Sequence, residues 1–276
     1  LSRARLPPEW VVAACDVGQG DAVLVRDGGA VALIDTGPEE AALAQCLAVT
    51  GVEAIDVLVL THWDADHVAA VGAIAGRVGT VLHGPLDGAR SSRALRPLVD
   101  GGAEAREVAA GARGRLGGAV WEVLWPPPDE APGNDASVVL DLRAAGFSAV
   151  FLGDLGEAAQ ARMARASRPP PVDLVKVAHH GSADQYPTLY AELDAHVAVI
   201  GVGAGNGYGH PTASALDLVA DQGAAVVRTD QLGTALLSVD DGVFRLWSER
   251  NRAGRRRAER RRRWATVDLS GGERRQ

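Results

Sequence analysis

Short apolar runs alternate along the chain with longer Ala- and Leu-rich stretches of helical spacing, a pattern that predicts an α/β layered protein. Residues 22–26 and 30–35 flank Asp27-Gly28-Gly29, which predicts a hairpin. Residues 39–49 read as a helix, residues 56–61 as a buried β-branched strand, and residues 68–78 as a helix with small residues on one face. A loop is expected from Pro126-Pro127-Pro128 to Gly133. Strands follow at 225–229, 234–239 and 243–247, the last two joined across Asp240-Asp241-Gly242.

The pattern recurs at long period. AVLVRDGGAVALIDTG, residues 22–37, has a counterpart in SVVLDLRAAGFSAVFLGD, residues 137–154. Each is strand, Gly-containing turn and strand, followed by an acid, Asp35 or Asp154, and then a helical stretch. Next comes DVLVLTH, ending at His62, or DLVKVAH, ending at His179. Two such halves predict two sheets packed face to face with helices outside, and a cleft where the strand ends of both converge.

Composition refines this picture only in places. At 276 residues, 47% hydrophobic and 23% charged, the chain has the makeup of a globular protein, and its longest apolar runs are too short to span a membrane. Two cysteines, Cys15 and Cys46, are too few for a disulfide framework and say little about redox compartment. Residues 1–9 read as a linker cut from something longer, residues 10–249 as the folded body, and residues 250–276 as an Arg-rich, solvated and disordered tail. The net charge of −7 hides +8 in that tail and −15 in the rest.

The densest chemistry is Thr61-His62-Trp63-Asp64-Ala65-Asp66-His67, between a buried strand and a helix. Carboxylates and imidazoles at that density repel or demand a cation. His62 and Asp64, on one side of a strand end, can share one metal, and Asp66 and His67 can face a second. Asp154 ends a hydrophobic strand, where a carboxylate can bridge two cations. In His179-His180-Gly181-Ser182, adjacent rings should diverge, leaving one as a ligand facing Asp154 and the other free for proton transfer. His210, in Tyr208-Gly209-His210-Pro211, sits at a strand–helix junction that Thr212 can cap. His83 and His196 lack such companions and read as structural or exposed.

His-x-Asp-x-Asp-His after an apolar strand, with a strand-end Asp upstream and Gly-Asp downstream, resembles the metallo-β-lactamase superfamily. The ordered set Asp16-Val-Gly-Gln-Gly-Asp21, Leu33-Ile-Asp-Thr-Gly37, Asn134-Asp-Ala-Ser137, Lys176-Val-Ala-His-His-Gly-Ser182 and Gly207-Tyr-Gly-His-Pro211 is similar, more narrowly, to the C-terminal domain of ComEC-type DNA-internalisation competence proteins. The resemblance implies an αββα four-layer sandwich, a dinuclear centre, and attachment to a polytopic bacterial membrane channel, with this domain on its extracytoplasmic face. It further implies metal-dependent hydrolysis of DNA, degrading the strand not imported. His62, Asp64, Asp66, His67 and Asp154 carry over as ligands, with His180 and His210. Asp35 carries over as an acid orienting the metal loop from behind, and His180 is favoured over His179 as the ligand.

Two departures bear on the metal. Asp64 stands where most superfamily hydrolases have His, and Asn134-Asp135-Ala136-Ser137 replaces a middle His. More oxygen and less nitrogen shifts two divalent ions from Zn²⁺ toward Mn²⁺, with Zn²⁺ still open. Asp66 would orient the attacking water, and whichever of His179, His180 and His210 is not metal-bound would protonate the leaving oxygen; His179 is the first choice. DNA, single strand or duplex, should bind weakly and without sequence preference, because a body of −15 offers few phosphate contacts. Two alternatives are a metallo-hydrolase of another ester, lactone or phosphorylcholine-type substrate, and a non-catalytic domain with a degraded metal site. With 4% aromatics, the chain is poorly supplied for the closed aromatic pocket such small substrates would want.

Overall fold

Period-two strands with apolar residues on both faces must be covered on both sides, and this requirement sets the layering. The computed structural model describes residues 9–240, 242–250 and 265–267. The first half supplies β1 (Trp10–Ala14), β2 (Val23–Asp27), β3 (Ala30–Ile34), β4 (Ile55–Leu60), β5 (Val78–His83) and β6 (Glu104–Glu107). The second supplies β7 (Arg113–Leu116), β8 (Ala119–Trp125), β9 (Val139–Arg143), β10 (Ser148–Phe151), β11 (Leu174–Lys176), β12 (Val197–Ile200) and β13 (Ala225–Arg228). The chain then returns to the first sheet through β14 (Ala235–Asp240), β15 (Val243–Ser248) and β16 (Ala265–Val267).

In the first sheet β1, β2 and β3 pair antiparallel and β3 to β6 parallel; in the second, β7 to β10 are antiparallel and β10 to β13 parallel. The duplication read in the sequence is thus a duplication of strand order. Alternation assigns the faces. Val23, Val25, Ala32, Ile34 and Val59 meet Leu140, Leu142, Phe151, Leu174 and Val199 between the sheets. Leu24, Leu33, Leu58 and Leu60 face outward under α1 (Glu40–Thr50), α2 (Ala65–Val68) and α3 (Gly88–Asp100). Val139, Val150, Val175 and Ala198 pack under α4 (Glu157–Ser167), α5 (Pro187–Leu193) and α6 (Ala213–Asp221). Helices, sheet, sheet and helices make the expected four layers.

Two expectations need correction, for the helix at 68–78 and for part of the tail, and the structure adds a disulfide on which the sequence was silent. The helix expected at 68–78 is the single turn α2 followed by a 3-10 segment, Ala69–Ile74. Gly72 lies against Glu40, whose Oε1 an added Cβ would meet at 2.2 Å, so the segment follows the α1 surface more closely than a regular helix with side chains there would. The two cysteines form a disulfide, joining Cys15 beyond β1 to Cys46 in α1. Within the segment read as a disordered tail, residues 265–267 pair with β15 as an edge strand. The rest of residues 251–276, and residues 1–8 of the expected linker, lie outside the described residues.

Candidate metal centre

The strands of both sheets end at one cleft, and their terminal loops place the polar residues. Asp35 follows β3 in the left-handed region, φ 58°. Its buried carboxylate compensates that strain with three bonds: Oδ1 accepts from the Thr61 amide at 2.8 Å, and Oδ2 from Thr61 Oγ1 and His67 Nδ1, each at 2.7 Å. Thr61 Oγ1, its proton given to Asp35, accepts from His62 Nδ1 at 3.1 Å. His180 Nδ1 donates to the Gly201 carbonyl at 2.9 Å. Each of the three imidazoles is thus held by a bond at Nδ1, which leaves Nε2 as the nitrogen turned into the group, able to ligate a cation once it has no proton.

Those three Nε2 atoms are buried and lack a hydrogen-bond partner, as does Asp154 Oδ1. His67 Nε2 lies 3.2 Å from Asp154 Oδ1, and His180 Nε2 lies 3.5 Å from Asp154 Oδ2 and 3.3 Å from Asp66 Oδ2. The His62 ring packs on His67, centroids 4.1 Å apart. Buried imidazole nitrogens and carboxylates converging in this way are a ligand set that a divalent cation satisfies by displacing the protons they otherwise share. Asp21, His67, Asp154 and His180 offer ligand atoms all within 4.8 Å of one another.

Other site residues lie around this group. Asp66 is about one-third exposed at the rim. Asp64, 3.8 Å from His62 Nε2, is 44% exposed and turned to Arg90 at 3.2 Å. Its carboxylate is therefore outside the buried group, although the spacing placed it beside His62. His210 stands beyond His179, ring centroids 5.7 Å apart. The His179 ring does not diverge from Asp154 as strand alternation required; its Nε2 is 3.7 Å from Asp154 Oδ2. His179 and His180 both adopt positive φ, 47° and 53°, so a left-handed turn replaces the extended backbone on which alternation rests. Burial still separates them: His180 is enclosed and His179 one-third exposed. Of the two histidines set aside, His83 is buried with Nδ1 bonded to the Gly84 carbonyl, and His196 lies half-exposed beside Asp173.

Asp21 escaped the sequence reading of function, although it ends a motif singled out for the resemblance. Lys176 Nζ pairs with its Oδ2 at 2.5 Å, and His180 Nδ1 stands 3.4 Å from its Oδ1. Two glycines make the loops fit. At Gly20 (φ 146°) an added Cβ would meet the Asp66 carbonyl oxygen at 2.2 Å, and at Gly153 (φ 54°) it would meet Ser137 Cβ at 2.7 Å. Ser137 Oγ accepts from the Asp154 amide at 3.1 Å, so Asn134-Asp-Ala-Ser137 braces the Asp154 loop where a further imidazole was missing.

The charge of the group is balanced internally by protons. Burial opposes charge on His180, yet Asp21 and Asp154 lift it to about 9. His67 is likewise raised, by Asp154 and Asp35 against burial. Burial tends to raise the Asp21 carboxyl, but Lys176 and His180 hold it at about 2. His67 and His180 similarly hold Asp154 well below the usual carboxylate range despite burial. His62, buried beside His67, is pushed down to about 4.

Fold and site together define a class, and the sequence agrees: residues 15–202 match the metallo-beta-lactamase superfamily model, and the chain belongs to that superfamily. Among curated proteins it is similar to ComE operon protein 3 of Bacillus subtilis (strain 168), 28% identical over 256 residues, covering 83% of this chain and 33% of that protein. It is also similar to competence protein ComA of Neisseria gonorrhoeae, 28% identical over 240 residues, covering 85% and 33%. The chain spans about a third of the length of these relatives. Among solved structures, the metallo-beta-lactamase fold protein YhfI from Bacillus subtilis has the same fold, with a TM-score of 0.53 at 12% identity over 79% of this chain and 95% of that one.

Proposed function

We propose that the domain is a metal-dependent phosphodiesterase that cleaves DNA during natural transformation, degrading the strand that is not imported. One observation carries the reading: three imidazole Nε2 atoms and Asp154 converge, buried and unpartnered, in a chain whose curated relatives are competence proteins. His67, Asp154, His180 and Asp66 would hold divalent cations together with His62, while Asp64 and His210 border them and Asp35 orients His67. Three imidazoles and two carboxylates suit Zn²⁺ as well as Mn²⁺, and Mn²⁺ is the ion we propose for activity. Bound ions supply Lewis acidity toward a phosphoryl oxygen and lower the pKa of water.

The chain's own groups do the rest. Asp66, at the rim, accepts a hydrogen bond from the attacking water and orients it. His179, one-third exposed at the mouth with Nε2 3.7 Å from Asp154 Oδ2, delivers a proton to the leaving oxygen. The His179 and His180 backbone, strained into a left-handed turn, keeps these two rings at 75° to each other. Attachment to a membrane channel on the extracytoplasmic face is part of the same proposal. The disulfide supports an oxidising compartment, and no helix among the described residues is long and apolar enough to cross a membrane.

The test is a cleavage assay on plasmid and linear DNA. With Mn²⁺, cleavage without sequence preference is expected, and none with excess chelator. Full activity in chelator, or hydrolysis of a lactam and never of a phosphodiester, contradicts the reading.

A further inference from the structure

Adjacent residues of an extended strand point to opposite faces, yet the rings of His179 and His180 both stand against Asp154 Oδ2, with Nε2 at 3.7 and 3.5 Å. Three consecutive left-handed residues make this possible: His179 at φ 47°, His180 at φ 53° and Gly181 at φ 77°. Only glycine takes that conformation without its Cβ crowding the backbone, so the two histidines stay there only if the surroundings hold them. Backbone partners hold the middle of the turn. The Ser182 amide donates to the His179 carbonyl at 2.9 Å, the His179 amide to the Gly153 carbonyl at 3.0 Å, and the Thr212 amide to the Gly181 carbonyl at 2.8 Å.

Side chains hold its two ends. Gln185 Nε2 donates to the Ala178 carbonyl at 3.0 Å and to the Ser182 carbonyl at 3.2 Å, so one amide group ties the residue before the left-handed stretch to the residue after it. Tyr190 Oη accepts from the Ala178 amide at 3.2 Å and donates to Gln185 Oε1 at 2.5 Å. Gln160 Nε2 donates to the same Oε1 at 3.2 Å and to the Leu155 carbonyl at 2.6 Å, and its own Oε1 accepts from the Tyr186 amide at 2.9 Å. Two donors on Oε1 leave the Gln185 amide one orientation, with its NH₂ group toward the turn. Burial pushes the Tyr190 hydroxyl up, so it stays protonated and remains a donor. All three side chains are buried, Gln160 on α4, Tyr190 on α5 and Gln185 just before α5. A fully satisfied buried polar network of this kind specifies a single arrangement of the backbone it bonds.

We propose that Gln185, set by Tyr190 and Gln160, is a positioning residue that clamps the His-His-Gly turn and so fixes where both imidazoles stand against Asp154. The inference rests on the metal-centre reading above and extends it one layer outward. Gln185 acts through the backbone. With the clamp released, His179 and His180 can leave the left-handed region for the extended one, where one ring must turn away from Asp154. A ligand and a proton donor held by one amide also tie metal affinity to the rate of the chemical step.

The experiment titrates Mn²⁺ calorimetrically into the chelator-stripped full chain and records the ring C–H resonances of His179 and His180 by NMR in EDTA. Gln185→Met keeps the size of the side chain and removes the clamp, and Tyr190→Phe removes one hydroxyl. Met163→Ala opens a cavity in the same core cluster and leaves the clamp's bonds intact. Gln185→Met should weaken Mn²⁺ binding by about tenfold, the lower end of the range for groups that orient ligands from behind, and should shift both ring resonances. Tyr190→Phe should do the same to a smaller degree, and it carries the test if Gln185→Met does not fold. Met163→Ala should lower Tm while leaving affinity and resonances in place, which separates positioning from general stability. Affinity and resonances indifferent to Gln185→Met and Tyr190→Phe, or perturbed as much by Met163→Ala, overturn the clamp. DNA cleavage is read separately. Weakened Mn²⁺ binding in a chain that cuts no DNA keeps the clamp and removes the nuclease reading; cleavage with affinity and resonances untouched removes the clamp and keeps the nuclease. If the wild type takes up no Mn²⁺, the metal reading fails and the resonances alone decide the clamp.

Discussion

At the scale of single residues, the centre divides labour by which ring nitrogen is free and how far each side chain reaches toward solvent. His180 is enclosed with Nε2 unpartnered, so His180→Ala should lower metal occupancy. His179 sits at the mouth, so His179→Ala should keep the metal and slow cleavage by about 10²–10⁴, the usual range for a lost general acid. Metal content and rate, measured on both variants, separate the roles; reversed results would exchange them. Asp66→Ala removes a rim carboxylate and should abolish turnover with an unchanged circular dichroism spectrum, whereas near wild-type cleavage at saturating Mn²⁺ would show Asp66 to be dispensable.

Protonation at the same residues gives a stability profile. His180 is held at about 9 against an ordinary 6.5. Its contribution to the metal-free fold is therefore complete below about pH 6.5 and is lost as pH rises through 9. Asp21, held at about 2 against 3.8, contributes above pH 3.8 and loses that contribution as pH falls through 2. Thermal melts in chelator should show Tm declining between pH 6.5 and 9. With saturating Mn²⁺ the decline should vanish, because a cation replaces the protons and binds better as they leave. A Tm flat across that window in chelator would contradict the charge assignment.

At the scale of elements, the hairpins, their parallel partners and the polar strand-end loops were legible because period-two alternation and Gly-containing turns are local signals. What escaped was set by packing at long range. Asp21 acquires its place from Lys176 and His180, far along the chain on the other sheet. The disulfide depends on β1 and α1 meeting, which two isolated cysteines could not announce. The His-His turn defeated alternation because its backbone is left-handed at two non-glycine residues. Gly20→Ala should destabilise the fold by about 1–3 kcal/mol and displace Asp66, since its Cβ would collide with the Asp66 carbonyl; an unchanged Tm would show that the loop has slack. Replacing Cys15 and Cys46 together by alanine opens a link across 31 residues and should cost about 3–4 kcal/mol by chain entropy, read by denaturant unfolding.

At the scale of the whole molecule, two halves of like strand order bring their loops to a single cleft, and neither half alone completes the donor set. His67 and Asp66 come from the first sheet's connections, and Asp154 and His180 from the second's. The sandwich core between the sheets therefore positions the chemistry as well as supplying stability. That the chain folds to this centre was readable from the order of its motifs; that Asp21 joins it through Lys176 was not, since that pairing exists only once the two sheets meet. The central claim is that the buried Asp and His group holds divalent cations. Metal stoichiometry on protein stripped with chelator and re-equilibrated with Mn²⁺ tests it most directly, comparing the wild type with Asp154→Ala. Two ions per wild-type chain and a loss of both on removing Asp154 are the predicted result; a wild type that takes up no metal, or an Asp154→Ala chain that retains as much, contradicts it.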